Sequence, residues 1–474
     1  MDLTRNSIPD QVRKIHLIAV CGTGMGALAA MLKDKGYEIT GSDQNVYPPM
    51  STFLLQRGIQ AASGFSEDNL ADEIDLVVIG NAVRRDNPEV VKVMREGIFF
   101  CSMPQAVNHF IAGGKQPILV TGTHGKTTTS SILSWILDKA GLAPSFLIGG
   151  ILKNFNSSYQ LGSGQYIVLE GDEYDTAFFD KGSKFLHYDP AITILTSVEF
   201  DHADIFADID HVKETFKKLL SGLAAESLLL AFDSDPHIRE LLPAAGCRIQ
   251  TYGKRPDSVW CLGQVDMNPP WTFFQVRRQG KHFASFKTRM VGEHNLLNAV
   301  SAVAASDQLG ISVPRMAEAL ETFQGAKRRQ EVRGCKRGIT VIDDFAHHPT
   351  AVRETVKAVK LSHDQGRLIA VFEPRTNSSM RSVFQDAYPQ SFDHADVICI
   401  RKPPLLHKIP ENDRFSSEKL VEDLNARGKA AHYFPDTESI IEFLVQEARP
   451  GDFVLIMSNG GFDNIHERLL IALG

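Results

Sequence analysis

Ile118-Leu119-Val120-Thr121-Gly122-Thr123-His124-Gly125-Lys126-Thr127-Thr128-Thr129 decides the fold class of this 474-residue chain. A short apolar run suited to a buried parallel strand enters a glycine-bearing loop, and a Thr/Ser-rich helix start follows. Gly125-Lys126-Thr127 at a strand-to-helix junction is the core of a phosphate-binding loop. Lys126 is placed to reach the β- and γ-phosphates, and the Thr127 hydroxyl to ligate Mg²⁺. Glycines let backbone N–H groups approach the anion, and the helix N-terminus adds positive potential. The loop departs from the general pattern at one position. Val120 stands where the first glycine of G-x-x-x-x-G-K-T is expected.

A second phosphate-type loop lies upstream. The apolar run Lys14–Val20 stops at Gly22-Thr23-Gly24-Met25-Gly26-Ala27, which satisfies G-x-G-x-x-G/A, and 27–35 reads as a helix. The next strand, 37–41, ends at Ser42-Asp43, where a dinucleotide fold places its ribose-binding acid. A NAD site, a site for another phosphorylated nucleotide and a tight structural turn all fit these residues. Two loops together constrain the chemistry further. A dehydrogenase leaves the second loop idle, and a simple ATPase leaves the first idle. A ligase that holds a nucleotide-linked substrate and consumes ATP uses both.

Further short apolar runs at 74–79, 166–170, 191–198, 228–232, 338–345, 367–372, 395–400 and 452–457 alternate with helical patterns, the rhythm of parallel α/β sheets. Between 258 and 291 the pattern turns aromatic and alternating, which predicts antiparallel hairpins inserted into the central domain. Breaks fall at Ala112–Pro117 and at the basic stretch 325–334, which has no apolar period. These breaks predict three α/β domains in series, over 1–114, 115–328 and 329–474. A net charge of −7 argues against a sequence-indifferent nucleic-acid binder, which needs a basic field. The opening Met1–Ser7 is polar, and no apolar run approaches the roughly 18 residues of a membrane span. Cys21, Cys101, Cys247, Cys261, Cys335 and Cys399 form no C-x-x-C pair. The expectation is a soluble, cytoplasmic protein with no membrane span and no nucleic-acid partner.

The loop at 121–129 resembles the ATP loop of the Mur ligases, including its missing first glycine. Five more segments match that family in order: Leu169-Glu170-Gly171-Asp172-Glu173-Tyr174-Asp175, Phe200-Asp201-His202-Ala203-Asp204, Gly292-Glu293-His294-Asn295 with the following Leu-Leu-Asn-Ala, Lys327-Arg328-Arg329, and Asp343-Asp344-Phe345-Ala346-His347-His348-Pro349. The resemblance implies a Rossmann-like UDP-binding domain, a P-loop ATPase-like central domain and a Rossmann-like C-terminal domain. It also implies ATP and Mg²⁺, and amide formation through an acyl phosphate. The lactoyl carboxylate of UDP-N-acetylmuramate is then the acceptor. The stretches Glu173–Phe185, Glu199–Phe206 and Phe372-Glu373-Pro374-Arg375-Thr376-Asn377 resemble the branch that adds the tripeptide L-alanyl-γ-D-glutamyl-meso-diaminopimelate during peptidoglycan recycling. The alternatives are the branch that adds L-alanine, a NAD-dependent oxidoreductase using the first loop, and a nucleotide sensor without turnover.

Site roles follow from the same resemblance. Lys126, Glu170 and His202 are the expected catalytic residues, with Thr127, Glu170 and His202 as metal ligands. Glu170 also earns its place bottom-up, because it ends a strand where an open α/β sheet faces its ligand. The ATP set is Gly122, Thr123, His124, Gly125, Lys126, Thr127, Thr128, Asn295, Arg329 and Asp344. The UDP-sugar set is Gly22, Thr23, Gly24, Met25, Gly26, Ser42 and Asp43, with Arg84 in a second uridine-side loop. Arg375, Asn377 and Arg381 are expected to meet the peptide's distant carboxylates. Lys213 lies near the position of a carbamylated lysine in several family members, but its surroundings match poorly and it is left out of the catalytic set.

Overall fold

The computed structural model describes residues 3–48, 50–70, 73–363 and 366–474; Met1 and Asp2 of the polar opening stretch lie outside them. The chain forms two compact units. One comprises Met1–Val198, Val212–Cys261 and Ser301–Ala319, the other Glu199–His211, Leu262–Val300 and Leu320–Gly474. The α/β architecture is carried by three main sheets.

The first unit begins with a five-stranded parallel sheet. Its order is Gln60–Ser63, Glu38–Asp43, Lys14–Ile18, Leu76–Ile79, Phe100–Ser102. The order reverses between Lys14–Ile18 and Leu76–Ile79, the crevice where doubly wound sheets bind ligands. The first strand stops at Ile18, two residues before the apolar run ends, because Ala19 takes a positive φ of 66° and turns the chain. Gly22 then caps the helix Thr23–Asp34.

The same unit holds parallel strands in the order Arg248–Gly253, Leu228–Phe232, Ile192–Leu195, Gln116–Thr121, Tyr166–Gly171, Ser145–Leu152, with Ser157–Gln160 antiparallel at the edge. The start of Trp260–Asn268 pairs parallel with Arg248–Gly253. Gln116–Thr121 is the switch strand. Chain before Tyr166–Gly171 builds one side, and chain after it builds the other. Its C-terminal end carries the Gly122–Gly125 loop and the helix Lys126–Lys139. A hairpin, Asp175–Ala177 with Asp180–Ser183, follows Tyr166–Gly171. Its tip residues Phe178 and Phe179 are partly buried and pack against the core of the first sheet, and Phe179 meets Phe100 edge-on at 5.2 Å.

The second unit contains the antiparallel pair Trp271–Arg278 and Lys281–Thr288, as the alternating pattern predicts. It also contains a six-stranded sheet ordered Glu331–Lys336, Ile339–Asp344, Phe453–Met457, Leu368–Phe372, Val397–Arg401, Ala430–Phe434. Alternate residues of Leu368–Phe372 face opposite cores. Leu368, Ala370 and Phe372 pack with Pro349–Ser362 and Ser417–Ala426, while Ile369 and Val371 pack with Thr437–Glu447 and Ile465–Ala472. One sequence expectation needs correction here. The basic stretch at 325–334 is not irregular throughout, because Glu331–Lys336 forms an antiparallel edge strand on Ile339–Asp344.

No helix among the described residues is long and apolar enough to cross a membrane.

Candidate active site

The missing first glycine of the phosphate loop has a structural cause. Val120 is still inside its strand, fully buried, and paired in register with Glu170 on one side and Ile194 on the other. The loop opens two residues later, at Gly122, whose φ of +128° suits glycine. A Cβ at Gly122 would lie 2.7 Å from the Ser197 carbonyl oxygen and 2.8 Å from its nitrogen, so any side chain forces the loop apart. Ser197, just beyond the strand Ile192–Leu195, holds the loop from the other side. Its carbonyl accepts from Thr123 N–H at 3.0 Å, and its hydroxyl accepts from His124 N–H at 2.8 Å.

Thr127 and Glu170, two of the expected metal ligands, meet at the head of this loop. Thr127 Oγ1 lies 3.0 Å from Glu170 Oε1, while Gly149 N–H donates to Glu170 Oε2 at 2.9 Å. Adjacent oxygen ligands of an octahedral Mg²⁺, each at roughly 2.0–2.1 Å from the ion, lie about 2.9 Å apart. The oxygen pair therefore fits that ion in both chemistry and spacing.

Lys126 points back over its own loop. Its ammonium donates to the Gly122 carbonyl at 2.5 Å and to Glu173 Oε2 at 2.7 Å and Oε1 at 3.1 Å. Burial pulls the Lys126 pKa down, but Glu173, Asp172 and Glu170 outweigh it and hold the group above its ordinary value. Burial also opposes ionisation of Asp172, and there Lys184 and Lys126 prevail and keep it below the usual carboxylate range.

In the first sheet, Asp43 closes the glycine loop. It accepts from Cys21 N–H at 2.9 Å and from Asn45 N–H at 3.0 Å. Gly22 and Thr23 are exposed and Gly24 partly so, whereas Met25 and Gly26 are buried. Ser42, expected beside the uridine, is turned fully inward. Its hydroxyl donates to Glu89 Oε2 at 2.6 Å in a buried cluster with His16. A cavity of about 660 Å³ opens at this sheet's crevice, lined by Asn81–Asp86 together with Phe178 and Lys181 of the hairpin. Arg84 is therefore a lining residue.

The second unit holds the remaining expected residues. His202 sits at a positive φ of 54°, and its N–H donates to the Asp201 carboxylate at 2.7 Å. Burial raises the Asp201 pKa, but His347, His202 and His348 outweigh it and keep the carboxyl well below its usual range. His348 caps the helix Pro349–Ser362 by accepting from Thr350 N–H. Asp344 is buried and accepts from Gln330 N–H at 2.7 Å and Ala346 N–H at 2.8 Å. Its pKa is raised, burial prevailing over the nearby Arg329. Asn295 donates to the Val291 carbonyl at 2.8 Å and reaches Gln330 Oε1 at 3.4 Å, so Gln330 links Asn295 to Asp344. Arg329 lies over the Phe345 ring, 5.0 Å from its centroid.

All three expected peptide contacts have partners within the protein. Arg381 pairs with Asp413, and Asn377 donates to Asp204 at 3.0 Å. Arg375 is held at the crevice where the loops after Leu368–Phe372 and Phe453–Met457 part, 3.5 Å from Glu373 and packed on Gly460. Lys213 pairs with Glu240 at 2.8 Å.

Sequence profiles of three domains match the chain in order. They are the Mur ligase family catalytic domain over residues 14–115, the Mur ligase middle domain over 120–306, and the Mur ligase glutamate ligase domain over 328–460. A UDP-N-acetylmuramate–L-alanyl-γ-D-glutamyl-meso-2,6-diaminoheptandioate ligase of Haemophilus influenzae is 38% identical over 463 residues, 98% of this chain and 99% of that protein. The chain belongs to the Mur ligase family. A UDP-N-acetylmuramate–L-alanine ligase of Desulforamulus reducens is 34% identical over 469 residues, covering 97% and 98% of the two chains. The structure of a murein peptide ligase from Psychrobacter arcticus 273-4 matches with a TM-score of 0.71 at 34% identity, covering 98% of this chain and 99% of that one.

Mur ligases are ATP-dependent enzymes that form amide bonds. In this Mur ligase the sequence reading missed Glu173 as the partner of Lys126, Ser197 as the loop's outer clamp, and Gln330 as the Asn295–Asp344 link. Glu173 sits among Asp172 and Asp175 and reads as one of several solvated acids. Ser197 and Gln330 carry no motif of their own, and only the fold brings them to the site.

Proposed function

We propose that this chain joins L-alanyl-γ-D-glutamyl-meso-diaminopimelate to the lactoyl carboxylate of UDP-N-acetylmuramate, using ATP, in peptidoglycan recycling. The observation that carries the reading is the 38% identity, along nearly the whole of both chains, to a ligase named for that tripeptide. The L-alanine alternative has weaker support, at 34% identity over a similar span.

A carboxylate is a poor electrophile at neutral pH. Transfer of the γ-phosphoryl of ATP to the lactoyl carboxylate makes an acyl phosphate. The peptide's α-amine attacks the carbonyl carbon and gives up a proton, and inorganic phosphate leaves as the amide forms. Lys126 and the backbone N–H groups of 122–128 would hold the β- and γ-phosphates, and Asn295, Arg329 and Asp344 the adenosine side of ATP. Thr127 and Glu170 would hold Mg²⁺, with His202 as a further ligand, and the ion would offset charge on the transferring group. Gly22–Gly26 and Asp43, with Arg84 across the crevice, would hold the UDP-sugar. Arg375 is the best-presented residue for a peptide carboxylate, since a guanidinium can pair with one bidentately.

The assignment implies a UDP-sugar domain over 1–114, an ATP domain over 115–328 and a peptide domain over 329–474. Substrates linked to a nucleotide and ATP imply a cytoplasmic enzyme. Phosphate release is the direct test. It should require ATP, UDP-N-acetylmuramate and tripeptide together, and release with any one of the three omitted would contradict the reading.

A further inference from the structure

Lys126, the residue expected to meet the nucleotide's phosphates, has partners within the protein for all of its donors. An ammonium has three N–H donors. Here they face the Gly122 carbonyl, Glu173 Oε2 and, at longer range, Glu173 Oε1 and the Thr123 carbonyl at 3.3 Å. The Glu173 carboxylate is thus bound as a phosphate would be, by the charge of the loop lysine. It is only 3% exposed and its partner 14%, so solvent screens the pair little.

The backbone that carries the carboxylate is also fixed. The Glu173 carbonyl accepts from the Ser183 hydroxyl at 2.6 Å, and the neighbouring Tyr174 carbonyl accepts from Lys184 N–H at 3.1 Å. Both tie the segment to the hairpin whose tip packs against the first sheet's core. Glu173 is therefore held in place beside the loop.

We propose that Glu173 is a positioning residue that holds Lys126 over the loop and competes with the phosphates for it, so that nucleotide binding has to displace an internal anion. This rests on the reading of the 122–128 loop as an ATP site. The pairing keeps the buried ammonium placed over the loop. It also lowers apparent affinity, because a ligand pays the fraction of molecules whose site is competent. Replacing Glu173 with glutamine keeps the shape and removes the charge. Lys126 then lacks its anionic partner, and the incoming phosphates become its best one.

The test is titration of Mg²⁺–ADP into the full-length protein by calorimetry, for wild type, Glu173→Asp and Glu173→Gln. If the paired state outweighs the open one by about ten to one, Glu173→Gln binds ADP about tenfold more tightly. Glu173→Asp retracts the carboxylate by one methylene, weakens the pairing, and should fall between. A residue that merely supports the fold would give the opposite order, with affinity lost in both variants. Equal or weaker ADP binding by the variants overturns the proposal, and Glu173→Asp alone decides it should the glutamine variant not fold. Failure of the wild-type protein to bind ADP would instead contradict the ATP-site reading itself.

Discussion

Lys126 and Glu89 show how single charges are managed in this chain. Lys126 is expected to stabilise charge on a transferring phosphoryl group, so Lys126→Ala should lower turnover by about 10²-fold or more. UDP-N-acetylmuramate binding, which we propose uses the other glycine loop, should survive, and isothermal titration of the variant with the UDP-sugar checks this. Glu89 is buried with His16, Ser42 and Asn69. Burial raises its pKa, but those three partners prevail and hold it below its ordinary value. A carboxylate lowered on folding adds stability above its unfolded pKa of about 4.3, and that stability is lost as pH falls through the lower folded value. Glu89→Gln should therefore cost about 1–3 kcal/mol at neutral pH. It should also flatten the acid side of the urea-midpoint profile. A profile parallel to wild type would remove Glu89 from the acid response. Neither Glu89 nor Glu173 was legible as a partner in the sequence. Glu89 lies 47 residues beyond Ser42, and Glu173 stands in an acidic run that resembles a solvated surface.

At the scale of elements, what could be read was whatever the backbone itself demands. The 121–129 loop was legible because glycine, lysine and threonine at that spacing have few other uses, and even Val120 finds its reason in a strand that runs two residues further. The switch strands were legible as apolar runs because both of their faces are buried. Edge strands were not. Glu331–Lys336 is half solvent-facing, with Val332 59% exposed, so it carries no apolar signal. The same limit hid the engagement of Asn377 and Arg381, whose partners Asp204 and Asp413 lie far away in sequence. Arg375 remains at the crevice, and its guanidinium lies where a Cβ on Gly460 would intrude. Gly460→Ala should therefore displace Arg375. Losing one charge-assisted pairing lowers kcat/KM for the tripeptide by about one to two decades. Dissociation constants for ATP and UDP-N-acetylmuramate should be unchanged. An equal loss across all three substrates would mean that the loop 458–460 serves the fold and not the peptide.

At the scale of the molecule, each main sheet has a switch point where its strand order reverses, and we propose that each expected ligand is served by one. The glycine loop and the 81–86 loop flank the first, the lysine loop with Glu170 the second, and Arg375 the third. The central claim is that the third is built for a peptide and not for a single amino acid. The most direct measurement is kcat/KM for the tripeptide and for L-alanine as amine donors, at saturating ATP and UDP-N-acetylmuramate. The tripeptide carries carboxylates far from its attacking amine, and alanine has none to offer Arg375. A tripeptide preference of at least about one to two decades is the predicted result. L-Alanine used as well as the tripeptide, or better, would contradict it and assign the chain to the alanine-adding branch.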